Sequence, residues 1–300
     1  MLKKLNNREI AILEMVILAL VWGSSFILMK RAIFDENGVA VLRGDQLGGL
    51  RMVISGLVLF PFVLKSLWKY SFKKIAFFLL IGLVGNGLPS IFFGIAQTYI
   101  SSSAVGILNA TVPIFALVLG VLFFQLKTKW YNIVGVVIGF LGVAILVFKN
   151  ASGEFELNAY ALFVMAATLC YGISVNLIRT YLKDVSSIVI TGAAFSLMVI
   201  PFGIYLMATG LQETIETQPY FLKSLGYLTI LSVVGTSFAV FLFNDLVKRT
   251  NPVTATSVTY LIPIVAVFWG VLDNEVFGWR DVIGGSVVLV GVFLINKKKK

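Results

Sequence analysis

The sequence predicts an all-α integral membrane protein with ten transmembrane helices, arranged as two inverted five-helix repeats. Three observations lead to this fold class. The 300 residues are 59% hydrophobic and only 13% charged, whereas a soluble domain is about 25% charged. Apolar runs of about 20 residues, enough to cross a bilayer, recur along the whole chain. Finally, the second half repeats features of the first half.

The predicted helices follow these apolar runs. They cover residues 11–31, 47–67, 74–98, 102–125, 131–148, 158–180, 186–208, 222–246, 253–272 and 280–296. The first run follows a basic N-terminus and superficially resembles a signal peptide. No A-x-A-like cleavage site follows it, and it continues through Trp22-Gly23 at full spanning length, so we expect a retained first helix.

The distribution of charge predicts the orientation in the membrane. Most of the 24 lysine and arginine residues lie at the two termini and after the second, fourth, sixth and eighth helices. Most acidic residues lie in the other loops. Because positively charged loops stay in the cytoplasm, we expect both termini there and an even number of helices. The expected location is the cell inner (cytoplasmic) membrane.

Two segments carry the clearest repeat. Residues 104–122 and 254–272 are similar apolar runs, and Pro113 in the first matches Pro263 in the second. Proline lacks an N–H and cannot bond the carbonyl four residues earlier, so each helix is expected to kink at its proline.

The carbonyls freed by these prolines belong to Asn109 and Thr259. In hydrocarbon, a freed carbonyl is tolerated only where protein or a water-filled cavity satisfies it. We therefore expect the two kinked helices to form walls of a central cavity.

The repeat extends through the chain. Further matched pairs are Gly85 with Gly235, Trp22-Gly23 with Tyr171-Gly172, Pro61 with Pro201, and Gly135 and Gly142 with Gly284 and Gly291. The halves are residues 1–150 and 151–300. Since each half has an odd number of helices, the second enters the membrane from the opposite side, as in transporters with inverted repeats.

The first helix contains Trp22-Gly23-Ser24-Ser25-Phe26, Arg51 lies near the start of the second helix, and a turn from Gln97 to Ala104 leads into Pro113. With the two repeated halves, these motifs resemble the EamA-type members of the drug/metabolite transporter superfamily. The resemblance implies ten helices, export or exchange of small metabolites, and no use of ATP. The halves differ at two positions, since Tyr171 replaces Trp22 and Thr191 lies near the place of Arg51.

Polar, aromatic and helix-breaking residues are predicted at one depth, near the middle of the bundle. The candidates for a substrate cavity are Trp22, Ser25, Asn86, Asn109, Pro113, Tyr171, Thr236, Thr259, Tyr260 and Pro263. No ionisable residue falls in that layer, so the expected cavity is aromatic and amide-lined and suits neutral, zwitterionic or flat organic solutes. The alternative is that these side chains only pack or form hydrogen bonds between helices.

Two charged residues lie within predicted helices. Glu14 is expected about 12 Å from the midplane, where it either couples transport to a proton or cation or sits as an interfacial carboxylate. Arg51 is expected near the outer surface, where it snorkels, pairs with an acid or attracts an anionic group of the substrate. We favour the structural roles for Arg51.

The composition also excludes several functions. The absence of histidine and the single cysteine, Cys170, argue against a metal site, a disulfide and acid–base catalysis. No Walker-type motif is present, and no cofactor is expected. The sequence therefore predicts a secondary transporter, with a small-molecule substrate and the lipid bilayer as partners and no nucleic acid. The alternatives are a channel, a structural membrane protein or an intramembrane enzyme.

Oligomeric state is left open by the sequence. Glycines 135, 139 and 142 form a face of small residues on the fifth helix, and glycines 284, 285 and 291 do so on the tenth. Such faces allow close helix packing. They serve either contacts within the chain or a homodimer, so monomer and homodimer both remain open.

Overall fold

The structure is a computed structural model that describes residues 7–148, 157–249, 257–275 and 278–296. Within those ranges the chain is helical, and its only β-type pairing is two isolated bridges. The boundary between the two predicted halves, at residues 150 and 151, and the C-terminal residues 297–300 lie outside the described residues.

The helices of the first half are labelled in chain order. They are α1 (Asn7–Ile33), α2 (Gly44–Leu67), α3 (Phe72–Tyr99), α4 (Ser102–Phe124) and α5 (Trp130–Val147).

The second half follows the same pattern. Its helices are α6 (Ala159–Tyr181), α7 (Ser187–Ala208), α8 (221–249), α9 (257–272) and α10 (Trp279–Asn296), with the short helix Leu211–Thr217 between α7 and α8.

Eight helical segments within the described ranges are long and apolar enough to cross a membrane, and they belong to α1 through α8. In α9 the apolar part, Val258–Leu272, is shorter, and α10 is not one of the eight. The prediction of an all-helical membrane protein is therefore confirmed. Ten crossings and an inverted second half stay predictions.

Two helices contain wider π-helical turns, a feature often found at functional sites. In α3 the π-helical segment is Leu83–Gly87, and in α8 it is Leu231–Phe238. Each contains one glycine of a predicted matched pair, Gly85 or Gly235. The same irregularity therefore occurs at corresponding positions of the two halves.

The prolines do not kink continuous helices as expected. In α4 the first part ends at Asn109, and a new helix begins at Val112 with Pro113 in its first turn. In α9 a 3₁₀ turn, Ser257–Tyr260, precedes a helix that begins at Ile262, again with the proline in its first turn. Proline is well tolerated there because that turn needs no N–H donor. The helices restart at the proline rather than bend through it.

The first helix of each half packs closely on the fourth helix of the other half. A Cβ atom added at Gly23 of α1 would lie 2.4 Å from the Val265 Cβ of α9. One added at Gly172 of α6 would lie 2.9 Å from the backbone nitrogen of Ala116 in α4. Only glycine allows either approach without displacement.

The π-helical segments make a second reciprocal pair of contacts. A Cβ at Gly85 of α3 would lie 2.2 Å from the Ser174 Oγ of α6, and one at Gly235 of α8 would lie 2.9 Å from the Ser25 Oγ of α1. Each half thus presses a serine of its first helix against a glycine in the third helix of the other half.

The glycine faces of α5 and α10 pack against each other within the chain. A Cβ at Gly135 would lie 2.6 Å from the Gly291 carbonyl, and one at Gly142 would lie 2.8 Å from the Gly284 carbonyl. Of the two uses expected for these faces, the structure therefore has the contact within the chain.

Candidate functional site

A cavity of about 190 Å³ lies between the two sets of helices. Four helices of the first half, α1 to α4, and four of the second half, α6 to α9, contribute to its wall. Its polar and large aromatic lining residues are Trp22, Ser25, Phe26, Arg51, Asn86, Ser90, Phe93, Asn109, Tyr171, Ser174, Thr191, Thr236, Phe243 and Thr259.

Most of the predicted cavity residues line this space. They are Trp22, Ser25, Asn86, Asn109, Tyr171, Thr236 and Thr259. These residues come from six different helices and line one cavity. Their common depth in the membrane stays a prediction. Their part in binding a substrate stays a prediction.

Three predicted cavity residues do not line it. Pro113 and Pro263 are buried in the first turn of their helices. The Tyr260 hydroxyl donates a hydrogen bond of 2.6 Å to the Val292 carbonyl of α10, which turns its ring away from the cavity. The tyrosine thus joins α9 to α10.

Glu14 also lies outside the cavity wall. Its side chain is buried on α1, two turns before Trp22. Its role in coupling stays a prediction, and any such role would act from beside the cavity rather than from within it.

Aromatic rings form much of the apolar wall. The Phe93 and Tyr171 rings have centroids 5.9 Å apart, and the Trp22 and Phe243 rings have centroids 5.2 Å apart. Both pairs join one helix of each half. Tilted pairs at such distances stabilise the packing of large apolar surfaces.

The two π-helical segments present a polar side chain to the cavity in the same way. The Asn86 amide nitrogen donates to the Ile81 carbonyl at 3.3 Å, and the Thr236 hydroxyl donates to the Leu231 carbonyl at 3.1 Å. In each case the acceptor lies five residues earlier. The widened turn therefore holds the side chain that faces the cavity.

Arg51 lines the cavity, in contrast to the position expected near the outer surface. Only 9% of the residue is exposed, and its Nε donates a hydrogen bond of 2.6 Å to the Thr236 Oγ1. The expectation of a layer without ionisable residues is therefore wrong. The error arose because α2 begins at Gly44, so Arg51 is two turns inside the helix. A single arginine within an apolar membrane helix is the signal that could have identified it.

A cluster of charged and polar groups lies where α1 ends and α4 begins. The Lys30 Nζ is 2.6 Å from an Asp273 oxygen and 3.1 Å from a Glu275 oxygen, and Arg31 pairs with Asp273. The Glu275 carboxylate also accepts hydrogen bonds from Ser102 N, Ser103 N and Ser103 Oγ at 2.8, 3.0 and 2.8 Å. We call these six residues the Glu275 cluster.

The Glu275 cluster joins α1 and α4 to the connection between α9 and α10. Burial would raise the pKa of the Glu275 carboxyl, but the hydrogen bonds from Ser103, Ser102 and Lys30 outweigh burial and hold the pKa below its usual value. Hydrogen bonds to the charged form have this effect. The carboxylate is thus charged at neutral pH and caps the N-terminus of α4.

The corresponding connection in the first half has no carboxylate. Helices α4 and α9 are each followed by a residue in the left-handed conformation, Gln125 with φ 53° and Asn274 with φ 55°. The loop after α4 reads Gln125-Leu126-Lys127 and lies beside Arg179 of α6. The two ends of the bundle are therefore held differently.

Within the described ranges no three metal-ligating side chains come together. The cavity wall offers hydroxyl groups, amides, aromatic faces and one guanidinium. These groups can hold an organic solute by hydrogen bonds and stacking.

Comparisons with known proteins agree with this architecture. A model of the EamA-like transporter family matches residues 9–148 and again residues 158–297. An "Uncharacterized transporter" of Archaeoglobus fulgidus is 24% identical, covering 93% of this chain and 95% of its own. The "Uncharacterized inner membrane transporter YedA" of Escherichia coli is 25% identical, over 94% and 89%.

A more specifically named relative comes from Streptantibioticus cattleyicolor. This "Probable terminal-alkyne amino-acid exporter" is 22% identical, over 96% of this chain and 94% of its own. One solved crystal structure superimposes with a TM-score of 0.62 at 14% identity and covers 95% of both chains. That structure supports the fold alone.

Proposed function

The chain belongs to the EamA-like transporter family, and from this premise we propose that it is a secondary transporter working by alternating access. It moves a small organic metabolite, an amino acid or a similar solute, across the cytoplasmic membrane by export or exchange. The observation that carries this proposal is the cavity, because each half of the chain contributes four helices to its wall. A seam between two halves is where such transporters bind their substrates.

The proposal includes ten membrane-spanning helices in two inverted halves, with both termini in the cytoplasm. Three features support it. The family model matches once per half. The α3 and α8 helices carry π-helical turns at corresponding positions. The contacts made by Gly23 and Gly85 recur at Gly172 and Gly235 with the halves exchanged.

Alternating access requires one end of the cavity to open while the other closes. The Glu275 cluster lies at the end where α1 finishes, which the charge distribution assigns to the outside. Its ion pairs and hydrogen bonds join the two halves there. We propose that they separate when the cavity opens outward, and that the breaks before Pro113 and Pro263 let α4 and α9 move.

The amino-acid class draws on one relative, which is named a probable terminal-alkyne amino-acid exporter. A wall of hydroxyl, amide and aromatic groups suits such a solute, since amides and hydroxyls can bind its polar ends and aromatic rings can contact its side chain. The names of these relatives point to transport rather than to catalysis.

The test is counterflow in proteoliposomes. The purified protein is reconstituted with unlabelled amino acids inside, and uptake of radiolabelled L-leucine, L-phenylalanine and L-propargylglycine is measured against protein-free liposomes. We expect saturable uptake that internal solute accelerates. Uptake that never saturates would indicate a channel. No uptake of any solute of a wider metabolite panel would contradict a transport function.

A further inference from the structure

The geometry points to Arg51 as the receptor for a carboxylate group of the transported solute. We propose that the cavity takes small monocarboxylates, with the guanidinium of Arg51 holding the carboxylate and the aromatic wall holding the remainder. This inference rests on the proposed function and adds a chemical class of substrate to it.

Arg51 is the one charged residue among the cavity-lining residues that the structure describes. None of the ion pairs between described residues includes the Arg51 guanidinium. The wall of the cavity is therefore positive. Such a wall favours an anion and disfavours a free cation.

The orientation of the guanidinium leaves its binding face open. Its Nε–H donates to the Thr236 Oγ1, and that hydroxyl donates in turn to the Leu231 carbonyl. The terminal nitrogens, Nη1 and Nη2, have no hydrogen-bond acceptor among the described residues. A guanidinium held in this way presents N–H groups in a planar fork, which matches the two oxygens of a carboxylate.

The guanidinium of Arg51 is a charge placed well inside its helix. Arg51 lies about 10 Å along α2 from the start of that helix, and only 9% of the residue is exposed. An isolated charge at such a position costs several kcal/mol unless it is paired or hydrated. A solute carboxylate removes part of that cost, so binding and stabilisation of the protein are coupled.

A carboxylate fits the site better than a phosphate. A phosphate dianion is normally bound by several cations or by a helix N-terminus, whereas this wall offers one guanidinium. The aromatic pairs Trp22 with Phe243 and Phe93 with Tyr171 make the rest of the wall apolar. No carboxylate among the described lining residues can pair with an ammonium group. The amino group of an amino acid should therefore contribute less to binding than its carboxylate.

The experiment uses matched solutes and calorimetric binding to the purified full-length protein in detergent. The leucine series is L-leucine, 4-methylpentanoate, L-leucinamide and 3-methylbutylamine. These solutes separate the contribution of the carboxylate to binding from that of the amine. Equivalent series are built on L-phenylalanine and L-propargylglycine, and inorganic phosphate is included. Counterflow of the same solutes is measured in parallel.

We expect the acids of at least one series to bind, with or without the amino group, while the matching amide and amine do not. Arg51→Gln should weaken that binding at least about 30-fold. Arg51→Lys, which keeps the charge but loses the fork, should retain part of it. Lys65→Gln, which removes a positive charge from an exposed site on the same helix, should leave binding unchanged.

The proposal would be overturned by equal binding of acids and amides, by unchanged affinity in Arg51→Gln, or by tighter binding of phosphate than of every carboxylate. Failure of all acids to bind would also overturn it. Should Arg51→Gln not fold, Arg51→Lys and Thr236→Val replace it, and each should weaken the binding of acids by a smaller factor. Unchanged affinity in both would overturn the proposal. Equal counterflow of the acids and their matching amides would refute this inference alone. Binding of the solutes without any counterflow would refute the transport function.

Discussion

At the scale of single residues, Gly85 allows α3 of the first half to approach α6 of the second half closely. Gly85→Ala should destabilise the protein by about 1–3 kcal/mol because the new methyl group would overlap the Ser174 Oγ. The same change at Gly203, where a Cβ meets nothing within 4 Å, should be neutral or slightly stabilising. Thermal unfolding of the two variants in detergent checks this. Equal melting temperatures would contradict the close contact.

Glu275 should make stability depend on pH. Its folded-state pKa is lowered from the ordinary 4.5, so its contribution is complete above pH 4.5 and is lost as pH falls below that value toward the folded-state pKa. Glu275→Gln should therefore be less stable than the parent at pH 7, and the difference should shrink as the pH is lowered below 4.5. A difference that stays constant over that window would contradict the assigned hydrogen bonds.

The proposed coupling through Glu14 is tested by its neutral analogue. If a proton on Glu14 is linked to transport, Glu14→Gln should flatten the pH profile of counterflow while leaving the protein folded. Glu9→Gln, one turn or so closer to the start of α1, is the control. An unchanged pH profile in Glu14→Gln would remove the coupling role.

Residue positions were only partly predictable from the sequence. The depth of Asn86, Asn109 and Thr236 follows from counting along apolar runs, and these residues do line the cavity. Tyr260 could not be placed because it lies in a 3₁₀ turn, where three residues per turn change the direction of the side chain. The direction of the Arg51 side chain depends on its contact with Thr236, a residue 185 positions away.

At the scale of the elements, we expect the irregular helices α4 and α9 to be the parts that move. The breaks before Pro113 and Pro263 separate each helix into two short pieces. Pro113→Ala and Pro263→Ala should each slow counterflow several-fold, because alanine favours a continuous and stiffer helix. Circular dichroism would verify that the variants remain folded. Unchanged counterflow in both would refute the hinge role.

The elements themselves were largely readable. Apolar runs located the helices because only a helix satisfies its own backbone in lipid. The π-helical turns at Leu83–Gly87 and Leu231–Phe238 were not readable. In the structure the matched glycines Gly85 and Gly235 lie in these turns, each close to a serine of the other half.

At the scale of the whole molecule, the two ends of the helix bundle are unequal. At one end, the loop after α4 reads Gln125-Leu126-Lys127 and contains no carboxylate. At the other end, near Ser102 and Lys30, the carboxylates of Asp273 and Glu275 join the two halves. We therefore expect Glu275→Gln to shift the population of states toward the form that is open on that side, since it removes an interaction of the closed form only.

The most direct test of alternating access uses a single cysteine at Asn109 in a Cys170→Ala background. Its rate of labelling by a membrane-impermeant thiol reagent is measured in right-side-out and inside-out vesicles, with Glu275 intact and with Glu275→Gln. We predict labelling from both sides of the membrane. When Glu275 is replaced, labelling should become faster from the outside and slower from the inside. Labelling from one side only, at the same rate in both backgrounds, would contradict the account.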